Sequence, residues 1–189
     1  GVPLDEAETL QTLREATEIV SERIGAPPAG FRAPYCRLTP PLRRALAELE
    51  FAYDASLTRE AGRWDMRPFR LEGTAGRPVW ELALCRGRDR AGEAISGYLW
   101  QLLEGRRAVA DYVEFARHLA ETAPEGGLLQ IALHPWHLVV AEHGAPLPQG
   151  PEIAAEGLSG VLRGIQGLEG VEFTGLGAYL ARVAPTHDQ

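Results

Sequence analysis

The chain has 189 residues, 45% of them hydrophobic and 24% charged, with a formal net charge of -7. Those values fit one globular domain with a single core and exclude a disordered tail. The negative field disfavours nucleic acid or an anionic membrane surface as a partner.

Asp5 to Ile24 reads as an amphipathic helix. Leu10, Leu13, Thr17, Val20 and Ile24 recur at three- and four-residue steps, acidic residues crowd the first turn, and Gly25 with Pro27-Pro28 ends it. Phe31-Arg32-Ala33 is a short strand running into the turn Pro34-Tyr35-Cys36. Thr39 caps a second helix that tolerates Pro40 and Pro41 in its first turn and runs to about Leu49. Phe51-Ala52-Tyr53 reads as a strand, and Asp54 to Arg77 as an irregular loop rich in Arg, Gly and aromatics, long enough to be functional or mobile.

Val79 to Leu84 is a further strand candidate, followed by a Gly/Arg-rich stretch and a helix over Val109 to Ala123. Leu128 to Leu133 is the best strand in the sequence, an apolar run bounded by Gly126-Gly127 and His134-Pro135. Pro151 to Gln166 is helical, Val171 to Phe173 is a strand, and Leu176 to Val183 is a last helix.

Alternating strands and helices give an α/β fold over residues 1–189, expected as a single domain with about five parallel strands and flanking helices. In such sheets chemistry gathers at the carboxyl ends of strands. Two of those ends carry unusual residues, Arg32 to Tyr35 and His134 to His137.

Other classes are set aside by what the chain lacks. No apolar run approaches the roughly 20 residues that span a bilayer. Cys36 and Cys85 are too few for a disulfide framework and suit a reducing compartment. With no signal peptide in view, the expected location is cytoplasmic, although the first residue is Gly1 and a start or leader upstream stays open. All 19 basic residues are Arg, and the chain has no Lys and no Asn. A GC-rich genome or a heat-adapted source would produce that bias, which says little of function.

The stretch Gly30-Phe31-Arg32-Ala33-Pro34-Tyr35, then Leu38-Thr39-Pro40, then Phe51-Ala52-Tyr53-Asp54-Ala55-Ser56-Leu57, resembles the polysaccharide deacetylase family. Its members carry an Arg-x-Pro-Tyr turn, a helix, and a strand ending near Tyr-Asp. Ile131-Ala132-Leu133-His134-Pro135 is similar to that family's late Leu-His-Pro motif, and Val79-Trp80-Glu81-Leu82 to its Glu-Leu-Pro-like strand. The likeness is to the nodulation-deacetylase-like members of carbohydrate esterase type.

The resemblance implies an irregular (β/α) barrel, of which this chain would be a partial one, the C-terminal two-thirds. It implies a divalent metal, commonly zinc, held by one Asp and two His from motifs upstream of the Arg-x-Pro turn. Between Gly1 and Arg32 this chain has no His and only Asp5, so no metal ligand is assigned to it and the complete family member is expected to supply them.

By the same resemblance His134 is the general acid and Arg32 the partner that keeps the family's base ionised, the two catalytic candidates. Tyr35 offers a backbone N–H to an oxyanion, and Leu133 and Trp136 shape a slot for the acyl methyl. Blander roles stand beside these. Arg32 could anchor a surface carboxylate, Tyr35 could be a packed turn residue, and Trp136 reads equally as core. Three residues after His134, His137 with Cys36 makes a weak metal pair without an acidic ligand. Cys36 itself reads as a small turn residue, and His118, His143 and His187 as solvated. The Arg-rich segments Arg63 to Arg70 and Arg86 to Arg90 read as solvated faces, or less often as contacts for an anionic or sugar substrate.

Two functions follow as expectations. One is an amide-bond hydrolase of N-acylated sugars or related amides, inactive as this chain alone without metal and base. The other is a non-catalytic relative that binds a carbohydrate or a partner. An incomplete barrel also leaves an open edge, through which a homo-oligomer or a missing segment could complete the sheet.

Overall fold

The carboxylate of Asp5 accepts the Glu8 N–H at 2.8 Å, and the Glu8 carboxylate accepts the Asp5 N–H at 3.0 Å. This capping box satisfies two donors at the start of α1 (Glu6–Ile24), and Gly25, at φ 76°, stops the helix in the left-handed region. The computed structural model describes residues 4–62, 65–73, 77–141 and 144–184. The chain forms two compact units, one of Gly1–Thr58, Arg67–Ala83 and Gly175–Gln189, the other of Arg59–Met66 and Leu84–Thr174.

After α1 the elements run β1 (Gly30–Phe31), α2 (Pro40–Glu48), β2 (Tyr53–Asp54), β3 (Thr58–Glu60), β4 (Phe69–Arg70), β5 (Trp80–Glu81), β6 (Leu84–Arg88) and β7 (Ala94–Ser96). The remainder is helical: α3 (Trp100–Leu103), α4 (Val109–Thr122), α5 (Pro151–Gln166) and α6 (Leu176–Val183). The five long helices fall within a residue or so of the spans their periodicity and caps predict.

In the first unit the sheet order is β1-β2-β5-β4, with β1, β2 and β5 parallel and β4 antiparallel to β5. Leu10 and Leu13 of α1 pack with Leu42, Ala45 and Leu46 of α2 on a core that also holds Phe31, Phe51 and Val79. Phe31 and Phe51 meet edge to face, ring centres 6.0 Å apart. The apolar stripe of α1 is used only in part: Leu13 is buried, whereas Val20 and Ile24 are exposed.

The second unit carries the antiparallel pair β6–β7, in a sheet ordered β3-β6-β7. Its core is built by Tyr112, Phe115, Ala116 and Leu119 of α4 with Val161 and Ile165 of α5, over Cys85, Ile95, Leu99 and Leu102. The Arg107 guanidinium ties β7 to the helices, donating to Asp89 at 2.7 Å, Gln101 at 2.9 Å and the Ala94 carbonyl at 2.8 Å. That hydrogen bond holds the Asp89 carboxyl below the usual carboxylate range.

The α/β class holds, but the strand expectations need correction. Among the described residues the structure shows no closed sheet; three short strands, β1, β2 and β5, are parallel, and the pairs β4–β5 and β6–β7 are antiparallel. Leu128 to Leu133, expected as the best strand, makes one parallel bridge, Ala132 to Tyr98. Its partner turns into α3 at Trp100, so the ladder ends after that rung. Val171 to Phe173 forms no strand; Val171 packs on the core and Phe173 is exposed. The supposed loop from Asp54 to Arg77 contains the end of β2, β3 and β4. Apolar runs reveal burial, and only a partner backbone makes a strand.

Candidate functional site

The first cluster lies at the carboxyl ends of β1, β2 and β5. Gly30 is needed there because a Cβ would stand 2.0 Å from Tyr53 Cζ; only a bare backbone fits beneath that ring. One residue beyond β1 is Arg32, exposed, and then buried Ala33, whose N–H donates to Ser56 Oγ at 2.7 Å. Pro34–Cys36 forms a tight helical turn in which Tyr35 and Cys36 both take positive φ, 55° and 56°. Two successive non-glycine residues in that region are uncommon and concentrate at functional turns. The turn's own bonds use the N–H groups of Cys36 and Arg37, donating to Ala33 and Pro34 carbonyls at 3.0 and 3.2 Å. The Tyr35 side chain is 91% exposed, with the Arg37 guanidinium 5.9 Å from its ring centre.

Beneath the turn are three buried polar residues, Asp54, Ser56 and Glu81, each with no exposed surface. Asp54 Oδ1 accepts the Ser56 hydroxyl at 2.7 Å and Asp54 Oδ2 accepts the Ser56 N–H at 3.0 Å. Glu81 Oε1 accepts the Leu57 N–H at 2.9 Å. Parallel register places Glu81 opposite Asp54. Burial first, then the neighbouring Asp54, pushes the Glu81 carboxyl up to about 9; the Leu57 N–H and the positive charge of Arg32 oppose that rise. Sequence reasoning quoted these residues as motif letters and gave them no role. The available signal was two acids ending apolar strands, where burial makes a charge costly.

The second cluster is in the other unit. His134 is exposed and precedes the turn Pro135–Leu138, its carbonyl accepting the His137 N–H at 2.9 Å. Its ring lies nearly parallel to that of Trp136, centres 5.3 Å apart at 12°, and edge-on to Tyr98 at 5.8 Å. Trp136 is 43% exposed and so presents a face to solvent, while His137 beneath it is only 2% exposed. Leu133 is half-buried against the small core of Leu103, Leu147 and Ala154. The segment reaches this place because Gly97 has no side chain: a Cβ there would stand 1.8 Å from the Gln130 carbonyl oxygen. The structure thus sets the His134 ring against those of Trp136 and Tyr98, with Leu133 packed on a neighbouring core, and sets Arg32 and Tyr35 at the turn above Asp54.

The other candidates fare simply. Cys36 is an exposed free thiol. His118 is exposed beside an open cavity of about 560 Å³, lined also by Arg88, Asp89, Arg90 and Glu114. Arg90 there pairs with Glu114, and Arg88 donates to the Gly92 carbonyl, as a solvated face would. Arg63, His143 and His187 lie outside the described residues. His137 is packed within aromatic rings. Among the described residues no group of three His, Cys, Asp or Glu side chains is placed to hold a metal. No helix among them is long and apolar enough to cross a membrane.

No protein-family model matches this chain, and no curated protein matches it. Among solved structures it is similar to the "putative polysaccharide deacetylase from Mycobacterium smegmatis", with a TM-score of 0.62 and 21% identity. The alignment covers 95% of this chain and 57% of that protein. The two share a fold. This chain therefore spans a little over half the length of the structure it matches, and the likeness at that identity concerns architecture alone.

Proposed function

We propose that the chain belongs to the polysaccharide deacetylase family and serves hydrolysis of the carbon–nitrogen amide bond of an N-acylated sugar or related small amide. What carries the reading is one coincidence. A fold shared along 95% of the chain puts the Arg32-to-Tyr35 turn just past the end of a parallel strand, in the strained conformation a functional turn would need.

In this reading the Tyr35 N–H, which the turn's own hydrogen bonds do not use, is a donor for the oxyanion of the attacked carbonyl. Arg32 supplies positive charge beside the reacting carboxylate of the family's base. By the family resemblance alone, the exposed His134 imidazole of the other unit is a proton donor, and Leu133 and Trp136 beside it in the chain are an apolar surface for an acyl methyl. In a complete member of the family a bound divalent ion would supply Lewis-acid chemistry and activate a water. The described residues do not provide its ligands, so the roles given to this chain are those of binding, orientation and proton donation.

Titration with N-acetylglucosamine oligomers, against glucose oligomers as control, tests the reading. Selective binding that weakens about tenfold in Trp136→Ala, equivalent to about 1.4 kcal/mol, is the expected result. Equal or absent binding of both sugars would remove it. The lack of a three-ligand group among the described residues favours a second reading, a non-catalytic carbohydrate-binding relative. Selective binding that persists in chelator, with no amine released in the presence of added zinc, separates that reading from the first.

A further inference from the structure

Asp54 and Glu81 are both fully buried and lie opposite one another through the pairing of β2 with β5. Their hydrogen bonds leave one group unexplained. Both Asp54 oxygens receive donors from Ser56, and Glu81 Oε1 receives the Leu57 N–H, but the buried Glu81 Oε2 meets no protein donor. A buried acceptor without a donor is costly, more so when charged. The side chain facing it is the Asp54 carboxyl, which can only accept if both acids are ionised.

One retained proton resolves both difficulties. It removes the repulsion between two dry carboxylates and supplies the missing donor. The hydrogen bonds say where it sits. Both Asp54 oxygens already accept a donor, whereas Glu81 keeps one buried oxygen that accepts none. The rise of Glu81 to about 9, caused mainly by burial, points the same way. The charged groups that reach Glu81 are Asp54 on β2 and Arg32 after β1; its register partner on β4 is the uncharged Phe69.

We infer that Glu81 is a positioning residue, which keeps its proton, donates it to Asp54, and through Asp54, Ser56 and the Ala33 N–H sets the backbone of the Arg32-to-Tyr35 turn. The functional weight of this chain of bonds rests on the deacetylase reading; its existence does not.

The test is a side-chain carboxyl NMR titration of Glu81, with the Tyr35 and Cys36 amide resonances as reporters of the turn. Glu81 should remain protonated at neutral pH and titrate near about 9, with both reporters shifting at the same midpoint. A merely packed Glu81 would leave the reporters unmoved. Glu81→Gln can donate to Asp54 and accept from Leu57 in the same shape. It should keep the neutral-pH positions of both reporters and abolish their alkaline shift. Titration of Glu81 near its ordinary 4.5, or a folded Glu81→Gln protein with displaced reporters at neutral pH, overturns the inference. No sugar enters this experiment. A blank oligosaccharide titration beside an alkaline Glu81 therefore defeats the deacetylase reading alone, and selective sugar binding beside an ordinary Glu81 defeats only the positioning role.

Discussion

The two clusters hold their polar groups by opposite means. In the first unit the Arg32-to-Tyr35 turn rests on a dry relay, in which Ala33, Ser56, Asp54 and Glu81 are linked through hydrogen bonds and a shared proton. In the second, His134 is held by ring faces, stacked with Trp136 and edged by Tyr98, and remains open to water. A buried relay is cooperative, since losing one member strands the others without partners. A ring platform loses dispersion contacts one at a time. The first cluster should therefore fail abruptly, and the second by degrees.

Asp54→Ala should break the relay most severely, costing about 2–6 kcal/mol in urea unfolding, because it leaves two buried groups, the Glu81 carboxyl and the Ser56 hydroxyl, without an acceptor. A cost under about 1 kcal/mol would mean that the relay behaves like a surface pair. The pH dependence sharpens the same point. The folded chain keeps on Glu81, from its ordinary 4.5 up to about 9, a proton that the unfolded chain has released. Stability from this acid is therefore full below the ordinary value and lost as pH rises to about 9, with a slope approaching about 1.4 kcal/mol per pH unit. Glu81→Gln should flatten that slope in denaturation series across the range.

The second unit is tested next by Gly97→Ala, which sets a methyl into the Gln130 carbonyl and should cost about 1–3 kcal/mol. The Gly97 N–H donates to the Cys85 carbonyl at 3.0 Å, so a thiol reagent reads the damage. In the native chain Cys36 should label fast and Cys85 only on unfolding, because burial pushes the Cys85 thiol up to about 12. In Gly97→Ala, Cys85 should label sooner. The smallest stability effect belongs to Trp136→Ala, about 1 kcal/mol or less, since nearly half of that side chain already faces water. Circular dichroism melting measures it. A loss above about 3 kcal/mol would show that Trp136 is core and not platform.

Much of the local structure was legible before any contact was known. Helix spans followed from the Thr39 cap, the Gly25 stop and the apolar periodicity, because caps and amphipathic faces are decided by residues within a turn or two. Arg32 and His134 stood out as unusual residues after strand-like runs. The strand candidates at Phe31, Phe51 to Tyr53 and Val79 to Leu84 carry β1, β2 and β5, but two others were misread, since pairing depends on a distant backbone: Leu128 to Leu133 has a strand's composition and one bridge, and Val171 to Phe173 forms no strand. The role of Glu81 was hidden for the same reason, as nothing near it in the chain announces Asp54.

The sequence by itself determined the α/β class and the bounds of the five long helices, properties of short-range sterics and hydrophobic period. Tertiary structure alone decided that two acids from separate segments meet where neither has exposed surface, and that a solvent-facing histidine lies against Trp136 and Tyr98. Register and burial are set by partners far along the chain, and a carboxyl's protonation follows from the dielectric and charges that those partners bring to it.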